Sequence, residues 1–372
     1  MELIKDFFFN LIFIVFVAII AATITFVFCN LFGITNNSLK YICISVVLMG
    51  LITKYLIYRI MNPDFDKSII IKNDYYSTKF EEKFNVVKPL IKKKYRFLRY
   101  GVFKTEMMKA LVISVIYTIN IFYISFLNSK YEILFLNTIC ILVYLIIHIV
   151  ELRYLKKAED IFKNQILSVF VKQVNEEYSY INPILEQDIT NMRRKYLEIY
   201  HKLENKEKVL FKPKDMITNE TTSFYTNLNA VTYKYGDERD CFDGLYVYSK
   251  LENNFERQLH VINKKIDNKN KYDINTDNEE FEKIYNTLCE DKQFAKRILD
   301  RKVTTYMVGF YNKYNIKFSC DIDRHFMNTR FYIRNLLIFN VFKTNQIKKQ
   351  LFILYVINDF IEYTKNLIDT NY

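Results

Sequence analysis

Apolar residues gather in four long stretches within the first 150 positions, at about residues 7–29, 41–61, 110–127 and 133–150. The first has only Asn10, Thr23 and Thr25 as polar members, side chains that a helix satisfies from its own backbone, and it is long enough to cross hydrocarbon. The second carries Lys54 and Arg59 in its distal part, where long cationic side chains reach back to the headgroups. The third and fourth are separated by residues 128–132 alone, so they form an antiparallel hairpin. At the N-terminus the apolar run exceeds the core of a cleaved signal, and Glu2 and Asp6 dilute its positive start, which predicts an uncleaved span. The pattern predicts an α-helical membrane anchor of four spans in two hairpins, followed by a cytoplasmic α+β domain. The corresponding divisions are 1–61 (first transmembrane hairpin), 62–109 (basic cytoplasmic loop), 110–150 (second hairpin) and 151–372 (cytoplasmic domain with a helical stalk).

Beyond residue 150 the periodicity changes. Ile161, Ile166, Phe170, Val171 and Val174 recur on one side of a helix that leaves the membrane as a stalk, and a second helix after Pro183 uses Ile184, Ile189, Met192, Tyr196 and Ile199. Residues 224–235, 244–251 and 258–266 shorten to strand-like runs with turns at Gly236-Asp237 and Asp243-Gly244. An asparagine-rich linker spans 267–278. Helical spacing resumes with Thr276 or Asp277 as cap, continues through Phe281, Ile284, Tyr285 and Leu288, and recurs over 294–314. Residues 316–322 and 330–339 read as a strand pair, and 346–368 as an amphipathic closing helix. Separate blocks of helix and strand favour α+β over a doubly wound sheet.

Charge orients this layout. Residues 61–109 hold 12 Lys plus Arg against 6 Asp plus Glu, whereas the two short loops hold one Lys each. The basic segment, the N-terminus and everything after residue 150 therefore face the cytoplasm in a multi-pass protein of the cell membrane. The formal charge of +12 is not a nucleic-acid footprint, because residues 151–372 carry 36 basic and 32 acidic side chains. Lys92, Lys93, Lys94, Arg96 and Arg99, interleaved with Tyr95, Phe97, Leu98 and Tyr100, are expected to touch anionic lipids or to fix topology. Six scattered cysteines with no CxxC pair read as free, reduced thiols.

Phe281-Glu282-Lys283-Ile284-Tyr285, then Asp291, then Phe294-Ala295-Lys296-Arg297-Ile298-Leu299, resembles the signature of the bacterial family catalogued as domain of unknown function 3137. Phe242-Asp243-Gly244-Leu245-Tyr246 is similar to that family's phenylalanine-glycine-leucine strand, and Arg330-Phe331-Tyr332-Ile333 falls where a late strand would lie. The resemblance covers about residues 209–339, and Lys296 interrupts the family's Ala-Arg step. It implies an architecture and no catalytic residue.

Candidate chemistry is sparse. Asp321, Asp323 and His325 would share one face of a strand beside Cys320, which makes them the candidate metal ligands; a solvated strand end is the favoured reading. Asp237, Glu238 and Asp240 read as an acidic hairpin loop, and His148, His201 and His260 are isolated. Arg297 is expected to pair with carboxylates around Asp291. With glycine only at positions 33, 50, 101, 236, 244 and 309, neither GxGxxG nor GxxxxGK[ST] can be written, and no cofactor is expected. Mid-span Gly50 and Asn120 make a poor solute pathway. The expectation is a membrane-tethered interaction module binding a protein or a second copy of itself, with an inner-leaflet enzyme as alternative.

Overall fold

In the computed structural model, the described residues are 68–126, 130–182, 184, 208–212, 215–234, 237–266, 274–334, 336–337 and 344–372. They belong to two compact units, one holding the described residues from Lys93 to Glu159 and the other those up to Lys92 and from Asp160 onward. The first expected hairpin and the helix expected after Pro183 lie outside the described residues, except Ile184.

Helix α1, Thr78–Phe126, runs for 49 residues. Phe80, Phe84, Val87, Ile91, Leu98 and Val102 are all buried, and their spacing of three, four and seven residues keeps one stripe of the helix facing inward. The segment expected to be a basic loop is therefore helical from Thr78 onward. Helix α2, Lys130–Ile161, continues through a π-helical turn, Phe162–Leu167, into α3, Ser168–Val174. Ser168 N–H donates to Lys163 O, the i to i−5 bond that defines such a turn.

The expected anchor of four spans is corrected by these helices. Among the described residues one stretch, Asn137–Val174, is long and apolar enough to cross a membrane. Residues 110–126 are not a free-standing span but the end of α1, which begins at Thr78. Apolar length alone suggests a separate element, whereas the helix continues from Thr78 to Phe126 through Pro89.

Within the first unit, α1 and α2 are antiparallel and in close contact. Gly101 lies against the Tyr154 ring, where a Cβ would stand 2.7 Å from a ring carbon. One turn pair further along, the Lys109 ammonium meets the Glu151 carboxylate, both nearly inaccessible. His148 Nδ1 stands 3.3 Å from the same carboxylate, and Lys109 Nζ sits 5.8 Å from the Tyr144 ring centre.

The second unit is built on a seven-stranded sheet: β1 Ser179–Ile181, β2 Lys208–Lys212, β3 Asp215–Thr218, β4 Thr222–Lys234, β5 Asp237–Asn263, β6 Tyr285–Cys289 and β7 Phe318–Phe331. Every pairing is antiparallel; the main path is β1-β3-β4-β5-β6, with β2 on β4 and β7 on β5. Strand β7 folds back at Arg324, whose φ of 49° is left-handed. The fold-back brings Tyr332 N–H to Lys317 O at 2.9 Å. Strand β5 wraps around it, running from Leu245 opposite Phe331 to Lys250 opposite Phe326, slipping register at Phe255, and resuming at Leu259 opposite Ile322. Only glycine fits at Gly244, since a Cβ there would lie 2.2 Å from Phe331 O.

Three short side-chain caps set the helices that follow. Asn278 accepts from Glu280 N–H and Phe281 N–H and starts α4, Glu279–Ile284, in place of the expected Thr276 or Asp277. Asp291 caps α5, Lys292–Ile298. Asp300 accepts from Val303 N–H at 2.9 Å and starts α6, Arg301–Tyr314. The expected helix through Leu288 stops at Ile284 because Tyr285 to Cys289 pair with β5, and the expected helix over 294–314 is two helices because Asp300 begins a new one. Closing helix α7 is Thr344–Thr370. Phe318 and Phe331 of β7 meet Phe310 of α6 and Phe360 of α7, with Phe310–Phe360 ring centres 4.3 Å apart and Phe318–Phe360 4.9 Å. Together these rings form the centre of the sheet–helix core.

Candidate functional site

Register places polar side chains from four strand segments on the sheet face opposite that core. Residues directly opposite on paired strands share a face, so Tyr248 with Asn328, and His260 with Asp321 and Leu288, form one row. Tyr246 with Arg330, and Ile262 with Ser319 and Asn286, form the next. Period-two alternation puts the two rows on the same surface. An apolar cluster of Met216, Tyr225, Leu228, Phe242, Tyr246 and Tyr248 adjoins them.

Asp321 is the centre of this network and is 2 % exposed. Its Oδ1 accepts from His260 Nδ1 at 2.8 Å and its Oδ2 from Arg330 Nη2 at 3.1 Å. Beside it, Tyr246 Oη donates to Asn328 Oδ1 at 2.6 Å. A buried carboxylate needs such partners, because removing it from water is otherwise too costly. The interaction also fixes the imidazole, with Nδ1–H turned to Asp321 and Nε2 on the far side.

Such a carboxylate-held histidine is the geometry of a general base, and the His260 side chain is 27 % exposed. The neighbouring hydroxyl does not complete a nucleophilic site. Ser319 Oγ is fully buried and makes no hydrogen bond, so no base activates it and no substrate meets it. Asn286 is likewise buried, with both amide atoms unpartnered.

The sequence-predicted ligands do not converge in this arrangement. Asp321 is engaged by His260 and Arg330, while Asp323 and His325 sit at the fold-back around Arg324. Among the described residues no three His, Cys, Asp or Glu side chains are grouped to hold a metal ion. Cys320 points to the other face, where Thr329 Oγ1 approaches its sulfur at 3.7 Å, and burial pushes its thiol up to about 12. Arg297 stacks on Tyr372 and Phe294, at 5.1 and 6.0 Å, while Asp291 serves as the α5 cap. Asp237, Glu238 and Asp240 are ladder residues of β5 opposite β4. Of the expected lipid contacts, Lys92 and Lys93 are exposed on α1 and Lys94 is half-buried; for Arg96 and Arg99 the described feature is their helical backbone.

His260 and Arg330 were missed as site residues because they lie 61 and 9 positions from Asp321. Their convergence depends on the β5–β7 register, which no local spacing encodes.

The fold and network define an antiparallel-sheet domain with helices on one face and a buried ionic network on the other. Residues 240–369 match the family described as protein of unknown function (DUF3137). The match contains the whole Asp321 network and agrees with the resemblance in the Phe281 to Leu299 segment. No curated protein and no solved structure matches the chain.

Proposed function

We propose that this protein is a membrane-attached module whose DUF3137 domain captures a protein partner or a second copy of the chain on the cytoplasmic side. The observation that carries this reading is the unbroken helical path from Lys130 to Val174. One part exposes Ile141, Leu142, Leu145, Ile146 and Ile149 to the surroundings, and the other buries Phe162, Ile166, Phe170 and Val171. A broad exposed apolar face on a helix favours lipid over water, and the basic residues that follow favour the cytoplasmic side.

In-cell crosslinking of the tagged full-length protein, followed by purification and mass spectrometry, tests the reading. A recurrent stoichiometric protein, or a crosslinked second copy, is the expected result. Release of the chain from membranes by alkaline carbonate would end the attachment half of the proposal, and labelling of a cysteine placed at Asn205 from outside intact cells would reverse its orientation.

An enzyme at the inner leaflet is the second reading, favoured by the half-buried His260 imidazole held by Asp321. Bound metal that is lost in Asp323→Ala and His325→Ala variants would move the assignment there.

A further inference from the structure

The exposed apolar band on α2 ends sharply. Leu152 is its last member, and Arg153, Lys156 and Lys157 follow at once, all exposed. Helix pairing brings a fourth cation to the same level. Gly101 contacts Tyr154 and Lys109 meets Glu151, so exposed Lys104, between Gly101 and Lys109, lies beside the start of the α2 basic segment. Glu151, the acid at this boundary, is already neutralised by buried Lys109. Exposed Glu159 lies further along α2, beyond Lys156 and Lys157. Among the described residues no ion pair occupies Lys104, Arg153, Lys156 or Lys157.

We propose that Lys104, Arg153, Lys156 and Lys157 form a collar that binds the phosphate of anionic phospholipids where α2 leaves the bilayer. The proposal rests on the membrane attachment argued above and names the lipid class involved. A 1.5 Å rise per residue gives about 33 Å from Lys130 to Leu152, comparable with a hydrocarbon core of ~30 Å, so the collar falls at headgroup depth. Lys93 is about 24 Å farther along α1 than Lys109 on the same rise, too far to share that layer. Juxtamembrane cations at headgroup depth attract anionic lipid, roughly fivefold in partitioning for each side chain.

The test reconstitutes the full-length chain in phosphatidylcholine vesicles containing phosphatidylglycerol, extracts it gently, and measures the ratio of the two lipids that remain bound by mass spectrometry. Wild type should enrich phosphatidylglycerol. The combined Lys104→Gln, Arg153→Gln, Lys156→Gln and Lys157→Gln variant should lose that enrichment by about fivefold or more, and the Lys104→Arg, Lys156→Arg, Lys157→Arg variant should keep it. Equal enrichment in wild type and the glutamine variant overturns the collar while leaving attachment intact. Release of wild type from the vesicles by alkaline carbonate overturns both. Equal thermal stabilisation by inorganic phosphate and by phosphatidylglycerol would identify a free-phosphate site and overturn the lipid assignment.

Discussion

His260 Nδ1 donates to Asp321 Oδ1 at 2.8 Å although the two residues lie 61 positions apart, and this bond joins the returning end of β5 to the first half of β7. Arg330 holds the other carboxylate oxygen from the second half of β7. The three charged groups therefore lock the fold-back to the strand that wraps it.

Replacing Asp321 by alanine removes a carboxylate that holds Arg330, whose side chain is 11 % exposed. Loss of one member of a buried ionic set costs on the order of 3 kcal/mol. Urea unfolding of Asp321→Ala should show a lower midpoint with an unchanged slope, and His260→Ala should lose less. A midpoint equal to wild type would mean that the network does not hold the sheet.

Two glycines should respond in opposite directions to alanine. At Gly244 the new methyl would collide with Phe331 O, and forced overpacking costs about 3 kcal/mol. Gly309 lies within α6 with open space at its Cβ, where alanine stabilises by roughly 0.5–1 kcal/mol. Thermal melts of Gly244→Ala and Gly309→Ala should therefore move down and up respectively.

Cys320 should resist alkylation in the native state, because the thiolate is the reactive form and burial holds this thiol at about 12. Iodoacetamide at mildly alkaline pH should modify half-buried Cys289 first, as read by peptide mass spectrometry. The same shift predicts a pH effect. Because the unfolded thiol ionises earlier, its contribution to stability is complete below the ordinary cysteine range and is lost as pH rises toward 12. Cys320→Ala should flatten that alkaline decline, and an unchanged decline would contradict the assignment.

Within the helix pair, Lys109→Ala or Glu151→Ala breaks a buried ion pair, a loss of about 3 kcal/mol. The double variant Lys109→Met, Glu151→Leu should recover most of it, since an apolar pair of similar volume needs no desolvation. Thermal unfolding of the detergent-solubilised proteins distinguishes the pair from either single change, and equal melting of all four would argue against coupling.

Local pattern determined much of the chain by itself. The spacing of Ile166, Phe170 and Val171 marks an inward helical stripe, Phe281 and the acids around it mark a helix start, and the Phe281 to Leu299 segment carries the family resemblance. These features depend on neighbours within a few residues, where propensity and periodicity act directly. Tertiary structure decided the rest. It extended α1 through the presumed loop, because the burial of Phe80, Phe84 and Val87 needs partners such as Phe170 and Phe352 that lie far along the chain. It ended α4 at Ile284 by offering the next residues a β5 partner. Above all, it drew Asp321 away from Asp323 and His325 and toward His260 and Arg330, since a buried carboxylate takes the cations that strand register places beside it, whatever their distance in sequence.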